Sequence, residues 1–341
     1  MRAPLPERLT AQALAGEPLR SPEAVAERLL AVQGQDPRGA RLAVRARTAG
    51  VTAADVDRAL TEDRSLLITW LNRGTLHLVR SEDYPWLHLL TAPTHFAGCK
   101  RRLQQEGLSG GDGERALEVI EKTLGEEGPL GGKDLRARLE SADVRTDGQI
   151  FIHLMFLAAA RGLLVRGPMA GKQHAYVLVR DWLGEPEPVE REQAVVELAR
   201  RYLAGHGPAD DRDLARWAGL PLRDARAGLE AIASELEQRD DGLVELKKRP
   251  TPGPTPPPRL LGAFDPLLLG WTSRDEVVGP HKVLVTINGI FRPFALVDGR
   301  AVATWKLAGG KLTIEHLARV KKKDAAALDE EAQRVLEFLA T

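Results

Sequence analysis

Two glutamines, Gln33 and Gln35, stand in the run Gln33-Gly34-Gln35-Asp36-Pro37. Glutamine does not titrate, so neither serves as a general base. Its carbonyl oxygen can still hold a water and face a developing positive charge. On an unbroken helix, residues i and i+2 point to opposite sides. Gly34 and Pro37 interrupt a helix here, and Pro37 is expected to end the one before it. Both amides would then project from a non-helical end into one cleft. Taken alone, the pair also describes a solvated helix terminus.

A second constellation is Trp70-Leu71-Asn72-Arg73-Gly74-Thr75-Leu76-His77-Leu78-Val79. Arg73, Thr75 and His77 alternate with Leu76 and Leu78, so a strand would place them on one face. A guanidinium, a hydroxyl and an imidazole together suit a phosphate or base contact, or simply the polar side of a half-buried strand. His88 and His95 near Cys99 lack zinc-site spacing, so no metal is expected. Lys100, Arg101 and Arg102 could touch phosphates or form a solvated face, and Lys321–Lys323 is read the same way. Phe264-Asp265-Pro266-Leu267-Leu268-Leu269-Gly270-Trp271 reads as core, with Asp265 fixing a turn. Asn288-Gly289 between apolar runs is a strong hairpin signal. With Ile290, Phe291 and Arg292 at its tip it suits a minor-groove wedge, or else a plain barrel turn. The sequence holds no phosphate-binding glycine loop, nucleophile elbow or His-Glu-x-x-His motif, which removes the usual support for nucleotide-cofactor chemistry.

The elements that must position these residues follow from caps and periodicity. Ser21-Pro22-Glu23 opens a helix and Thr52–Asp55 opens another. Ser65–Trp70 and Gly74–Val79 read as strands. Ser81-Glu82-Asp83 caps a helix running towards His95, and Gly107–Gly113 reads as a loop. Helices at Glu114–Leu124, Lys133–Leu139 and Gln149–Ala160 precede strands Gly162–Arg166 and His174–Arg180. Three helices and a hairpin is winged-helix order. It recurs with helices at Arg191–Ala204, Asp210–Trp217 and Pro221–Glu237, then a strand at Leu243–Lys247. A proline run, Arg249–Arg259, reads as a stiff linker. Strands at His281–Ile287, Ile290–Val297 and Arg300–Trp305 follow, with a tight turn at Asp298-Gly299 and a closing helix, Asp324–Leu339. The expected fold is therefore α+β, tandem winged-helix modules followed by a small barrel-like β domain. Expected boundaries are 1–106, 107–188, 189–249, linker 250–259 and 260–341.

Composition sets wider bounds. The chain has 341 residues and 43% hydrophobic residues, enough for several packed domains. It has no apolar run of the roughly eighteen residues that suggest a membrane span. The start, Met1 to Glu7, lacks an apolar signal core, so a cytoplasmic protein is expected. One cysteine excludes an internal disulfide framework and a cysteine zinc site. Net charge is zero, unusual for a DNA binder, but charge segregates. Acidic stretches such as Glu185–Glu192 and Asp329-Glu330-Glu331 offset basic ones such as Lys100-Arg101-Arg102, Lys247-Lys248-Arg249 and Lys321–Lys323.

An ordered set of segments resembles a known family. These are Arg8-Leu9-Thr10, Gln33-Gly34-Gln35, Arg73–Val79, Phe264–Gly270 and Val297–Trp305. From about Arg8 to the last helix the chain resembles the winged-helix family containing the AlkZ-like DNA glycosylases. The resemblance implies a cradle for double-stranded DNA and monofunctional excision of N7-alkylated guanines, in some members including interstrand crosslinks. It also implies a role in DNA repair or in self-resistance to a genotoxin. It implies Gln33 and Gln35 as catalytic residues. A related bacterial subgroup has aspartate at the second position. The middle residue is usually larger and apolar, whereas here it is Gly34. An N7-alkylated guanine already carries positive charge and leaves without a general acid. Amide carbonyls then need only steady an oxocarbenium-like sugar and aim a water. Neither metal nor cofactor is implied, and a monomer near the nucleoid is expected. The alternatives are a non-enzymatic winged-helix DNA-binding regulator, which has no need of the two glutamines, and a protein-interaction scaffold.

Overall fold

A computed structural model describes residues 4–171, 173–185 and 188–340. In chain order, helix α1 is Leu5–Ala11, α2 Pro22–Leu29, strand β1 Val32–Gln33, α3 Pro37–Arg45 and α4 Ala53–Thr61. Strands β2 (Leu66–Leu71) and β3 (Thr75–Arg80) precede α5 (Tyr84–Gln105), α6 (Gly110–Glu127), α7 (Gly132–Ser141) and α8 (Ile150–Ala160). Strands β4 (Leu164–Ala170) and β5 (Gln173–Leu178) lead to α9 (Val179–Leu183), α10 (Arg191–His206), α11 (Asp211–Ala218) and α12 (Leu222–Ala231). The chain closes with β6 (Leu236–Gln238), β7 (Val244–Leu246), β8 (Arg259–Leu261), α13 (Asp275–Val278), β9 (Phe294–Val297), β10 (Arg300–Ala308), β11 (Lys311–His316) and α14 (Lys322–Ala340). The fold is thus mixed α and β. No described helix is long and apolar enough to cross a membrane.

The chain divides into two compact units, residues 1–56 with 195–341, and residues 57–194. In the first, β11, β10, β9 and β8 form an antiparallel sheet in that order. The sheet has two edges and stays open, which corrects the barrel-like expectation. Asp298 and Gly299 make the β9–β10 turn at φ 51° and 76°, the left-handed conformation such a tight turn needs. Leu328, Val335 and Phe338 of α14 join Leu260, Ala295, Ala303 and Trp305 in one core. Helices α10, α11 and α12 precede a small β6–β7 hairpin. The strand expected at His281–Ile287 is instead a short 3-10 turn, Lys282–Leu284, while β11 went unread.

In the second unit, antiparallel strands run in the order β3-β2-β4-β5. The loop expected at Gly107–Gly113 is shorter, because Ser109 and Asp112 form a capping box that starts α6 at Gly110. Helix α5 runs through Pro93 to Gln105. Ser81 does not cap it, since its hydroxyl donates to the Arg64 carbonyl. The third helix before the β4–β5 hairpin, α8, reads Ile-Phe-Ile-His-Leu-Met-Phe-Leu-Ala-Ala-Ala and packs along α5. Most of its apolar surface is buried, with Ile152 left exposed, so it has little polar face to read bases.

Candidate active site

The glutamine segment is non-helical, as expected, but for a different reason. Helix α2 stops at Leu29, and Leu30 takes φ 62°. Pro37 does not end that helix. It is the first residue of α3, capped by Asp36, whose carboxylate accepts from the Arg38 amide at 3.0 Å. Proline suits this position because its missing N–H would have had no helical partner. Gln33 therefore ends β1, and Gln35 stands just ahead of a capped helix.

The two amides differ in environment. Gln33 is 6% exposed, and among the described residues its Oε1 has no hydrogen-bond partner. A desolvated carbonyl oxygen is a stronger dipole towards a nearby cation than one in water. Gln35 is exposed and Gly34 buried. Asp36, the carboxylate of the run, is engaged in capping.

The first unit fixes α3 at both ends. A Cβ on Gly39 would lie 2.4 Å from the Ala263 carbonyl oxygen, so only glycine allows this backbone approach. Beyond the far end, Arg47 donates to Asp265 at 2.8 and 2.9 Å, to the Gln12 carbonyl and side-chain oxygens, and to the Ala43 carbonyl. Gln12 in turn donates to the Gly205 carbonyl. Asp265 also accepts from the Leu267 amide at 2.9 Å, so it fixes a turn, as expected. Its partner Arg47 was missed, because no local pattern marks it.

In the second unit, Arg73 falls in the turn between β2 and β3 and is exposed. It does not share a strand face with Thr75 and His77, which corrects the three-residue grouping. His77 is buried, with Nδ1 2.8 Å from the Thr75 carbonyl oxygen. Burial, and then the charge of Arg73, lowers its pKa to about 3. It is neutral at physiological pH and offers no cation to a phosphate. Lys100, Arg101 and Arg102 lie exposed on α5, with Lys100 Nζ 4.6 Å from the Phe96 ring centre.

The Asn288-Gly289 turn is real, but it does not join two strands. A single bridge, Val285 to Phe291, and the Thr286–Ile290 backbone hydrogen bond close it. Phe291 packs on Phe264, with ring centres 5.8 Å apart, and lies under Arg274. It is not at the tip. The tip residue missed in the sequence is Ile287, 106% exposed, with Ile290 at 52%. Its signal was its place immediately before Asn-Gly.

Residues 26–338 match the model of the AlkZ-like DNA glycosylases. The chain belongs to the AlkZ-like DNA glycosylase family. It thus stands among enzymes that act on N-glycosyl bonds. It is 30% identical over 351 residues to the interstrand DNA cross-link repair glycosylase of Streptomyces sahachiroi, covering 94% of this chain and 91% of that one. The fold is similar to the solved Streptomyces sahachiroi DNA glycosylase AlkZ, with TM-score 0.79 and 25% identity over 98% and 96% of the two chains.

Proposed function

We propose that this AlkZ-like glycosylase hydrolyses the N-glycosidic bond of N7-alkylated purines in duplex DNA, crosslinks included, with Gln33 and Gln35 as its catalytic residues. The observation that carries this reading is the glutamine segment itself: a non-helical break, held by a clamped helix, with Gln33 buried and Gln35 exposed. The cationic lesion supplies its own leaving tendency, so the protein need only stabilise charge at the sugar and orient water. A crosslink activity is suggested by the name of the Streptomyces relative.

DNA is read here as bound by three winged-helix-like modules, 1–106, 107–188 and 189–249, joined through 250–259 to a β domain at 260–341. The order helix-helix-helix-hairpin in α6–β5 and again in α10–β7 supports this. Because α8 is committed to packing, contacts fall to exposed Arg73, to Lys100, Arg101 and Arg102, and to the Ile287–Arg292 turn. In that turn Asn288, Ile290 and Arg292 flank the apolar tip, which suits a minor-groove wedge. Of the candidate DNA contacts Thr75 and His77, His77 is buried and neutral, so it offers a hydrogen bond rather than a charge. The enzyme acts as a monomer without a nucleotide cofactor, at the nucleoid.

The test is excision from duplexes carrying one N7-methylguanine or one bulky N7 adduct, with alkali converting abasic sites to breaks. Breaks that vanish in the Gln33→Ala/Gln35→Ala variant support the reading. Tight duplex binding without breaks would replace it with a non-enzymatic DNA binder.

A further inference from the structure

A basic hollow of about 400 Å³ opens in the first unit, where the end of α2 meets α10 and the segment after β7. Arg28 of α2, Arg201 of α10, and Lys248 and Arg249 line it, against one acidic side chain, that of Glu27. The whole chain has 48 basic and 48 acidic residues, so this excess is local. Like charges gathered in a cleft repel one another and focus their field into it. A fold gains nothing by that arrangement unless an anion relieves it.

The surrounding elements fix these side chains without using up all their charge. A Cβ on Gly205 would run into the Arg28 carbonyl, so α10 crosses the end of α2 at backbone distance. Arg201 donates to the Glu27 carbonyl at 2.9 Å and reaches Glu197 at 3.8 Å. After β7, Lys247 donates to the Ser234 carbonyl at 2.8 Å. Arg249 donates to Glu237 at 2.8 Å and pairs with Glu245 at 2.7 Å. Lys248 lies between these two anchored residues. The Glu235 carboxylate feels the Lys248 charge, but Arg200 holds it at 2.8 and 3.0 Å. Among the described residues, neither Arg28 nor Lys248 forms an ion pair.

An arginine fork beside a lysine point charge suits the oxygens of a phosphate. Leu246 and Pro250 add apolar lining, which suits the sugar of a nucleic-acid backbone. The hollow also lies close to the glutamines within one unit. Helix α2 ends one residue after Arg28, and Gln33 follows four residues later. The Cα atoms of Arg28 and Gln33 are therefore no more than about 18 Å apart. One turn of duplex DNA spans about 34 Å. A phosphate in the hollow thus lies within one turn of a sugar held at the glutamines. We propose that Arg28 and Lys248, with Arg201 beside them, hold a backbone phosphate of the duplex near the base to be excised. This rests on the duplex substrate of the glycosylase reading above.

The test uses the full chain as Arg28→Gln/Lys248→Gln and as the charge-keeping Arg28→Lys/Lys248→Arg. A third variant, Lys306→Gln/Lys311→Gln, removes two exposed charges elsewhere in the same unit. Affinity for undamaged and N7-methylguanine duplexes is measured across a salt series, with single-turnover excision at saturating duplex and the thermal midpoint. We expect the Arg28→Gln/Lys248→Gln variant to bind both duplexes about tenfold less tightly at low salt. Its plot of log affinity against log salt should be shallower by about one. The other two variants keep the wild-type slope, and excision at saturating duplex holds in all. An unchanged slope in Arg28→Gln/Lys248→Gln would overturn the proposal. So would an equal change in Lys306→Gln/Lys311→Gln, which would reduce the effect to net charge. Inorganic phosphate, added at fixed ionic strength, tests the other source. If it raises the thermal midpoint of wild type alone while duplex affinity is alike in both, the hollow belongs to free phosphate and the proposal falls. If wild type excises nothing yet shows the slope difference, the phosphate contact stands and the glycosylase reading fails instead.

Discussion

Arg47 and Asp265, 218 residues apart, meet in a two-pronged ion pair with neither side chain exposed. Removing one partner strands a buried charge, so Arg47→Met should cost about 3–5 kcal/mol in urea unfolding. Arg47→Met/Asp265→Leu should recover most of that loss. Because this pair anchors the segment just beyond α3, the double variant should stay folded yet excise more slowly than wild type. Equal stability of single and double variants would contradict the assignment.

At the other end of α3, Gly39 meets the Ala263 carbonyl. A methyl group would sit 2.4 Å from that oxygen, so Gly39→Ala must push the helix from the 262–263 backbone. Overpacking of this kind costs about 1–3 kcal/mol. Excision should fall further than stability predicts, because Gln35 lies one helical turn away. Thermal unfolding and single-turnover rates on the same sample check both parts.

What was legible in the sequence was what local rules decide. Ser21 caps α2, and Thr52 with Asp55 caps α4, as their residue types require. The β2–β3 pair was read within a residue of each boundary. Asp36-Pro37 carried the same kind of signal, a cap followed by a first-turn proline, but it reads equally well as a stop. Asn288-Gly289 marked its turn, while the ladder around it depends on distant partners and reduces to one bridge. Arg47 with Asp265 left no local trace, since tertiary folding alone brings them together. Gln33 and Gln35 drew notice by spacing, yet the burial of one and exposure of the other is a property of the folded chain.

Buried His77 makes stability depend on pH in a defined direction. The folded ring takes a proton only near pH 3, against 6.5 when unfolded. Between these values the unfolded chain binds more protons, so stability rises with pH and is fully present above the unfolded value. As pH falls below that value, the loss approaches about 1.4 kcal/mol per unit for this one group. His77→Gln should flatten the low-pH limb of a stability-versus-pH curve by that slope. An unchanged limb would mean the imidazole is not held neutral.

Ile287 is the most exposed large apolar side chain described, at the tip of a turn closed by one bridge and the Thr286–Ile290 hydrogen bonds. Exposure of that degree is unfavourable in water and is relieved only on contact with another surface. Full burial of such a side chain contributes about 1.5–3 kcal/mol, so Ile287→Ser should weaken duplex binding roughly ten- to a hundredfold. The fold should not notice, because the residue packs against nothing that would be lost. Wedging also unstacks a base step, so a fluorescent adenine analogue beside the lesion should brighten with wild type and stay dim with Ile287→Ser. Equal binding and equal brightening would remove the turn from the DNA interface and leave the basic side chains to carry it.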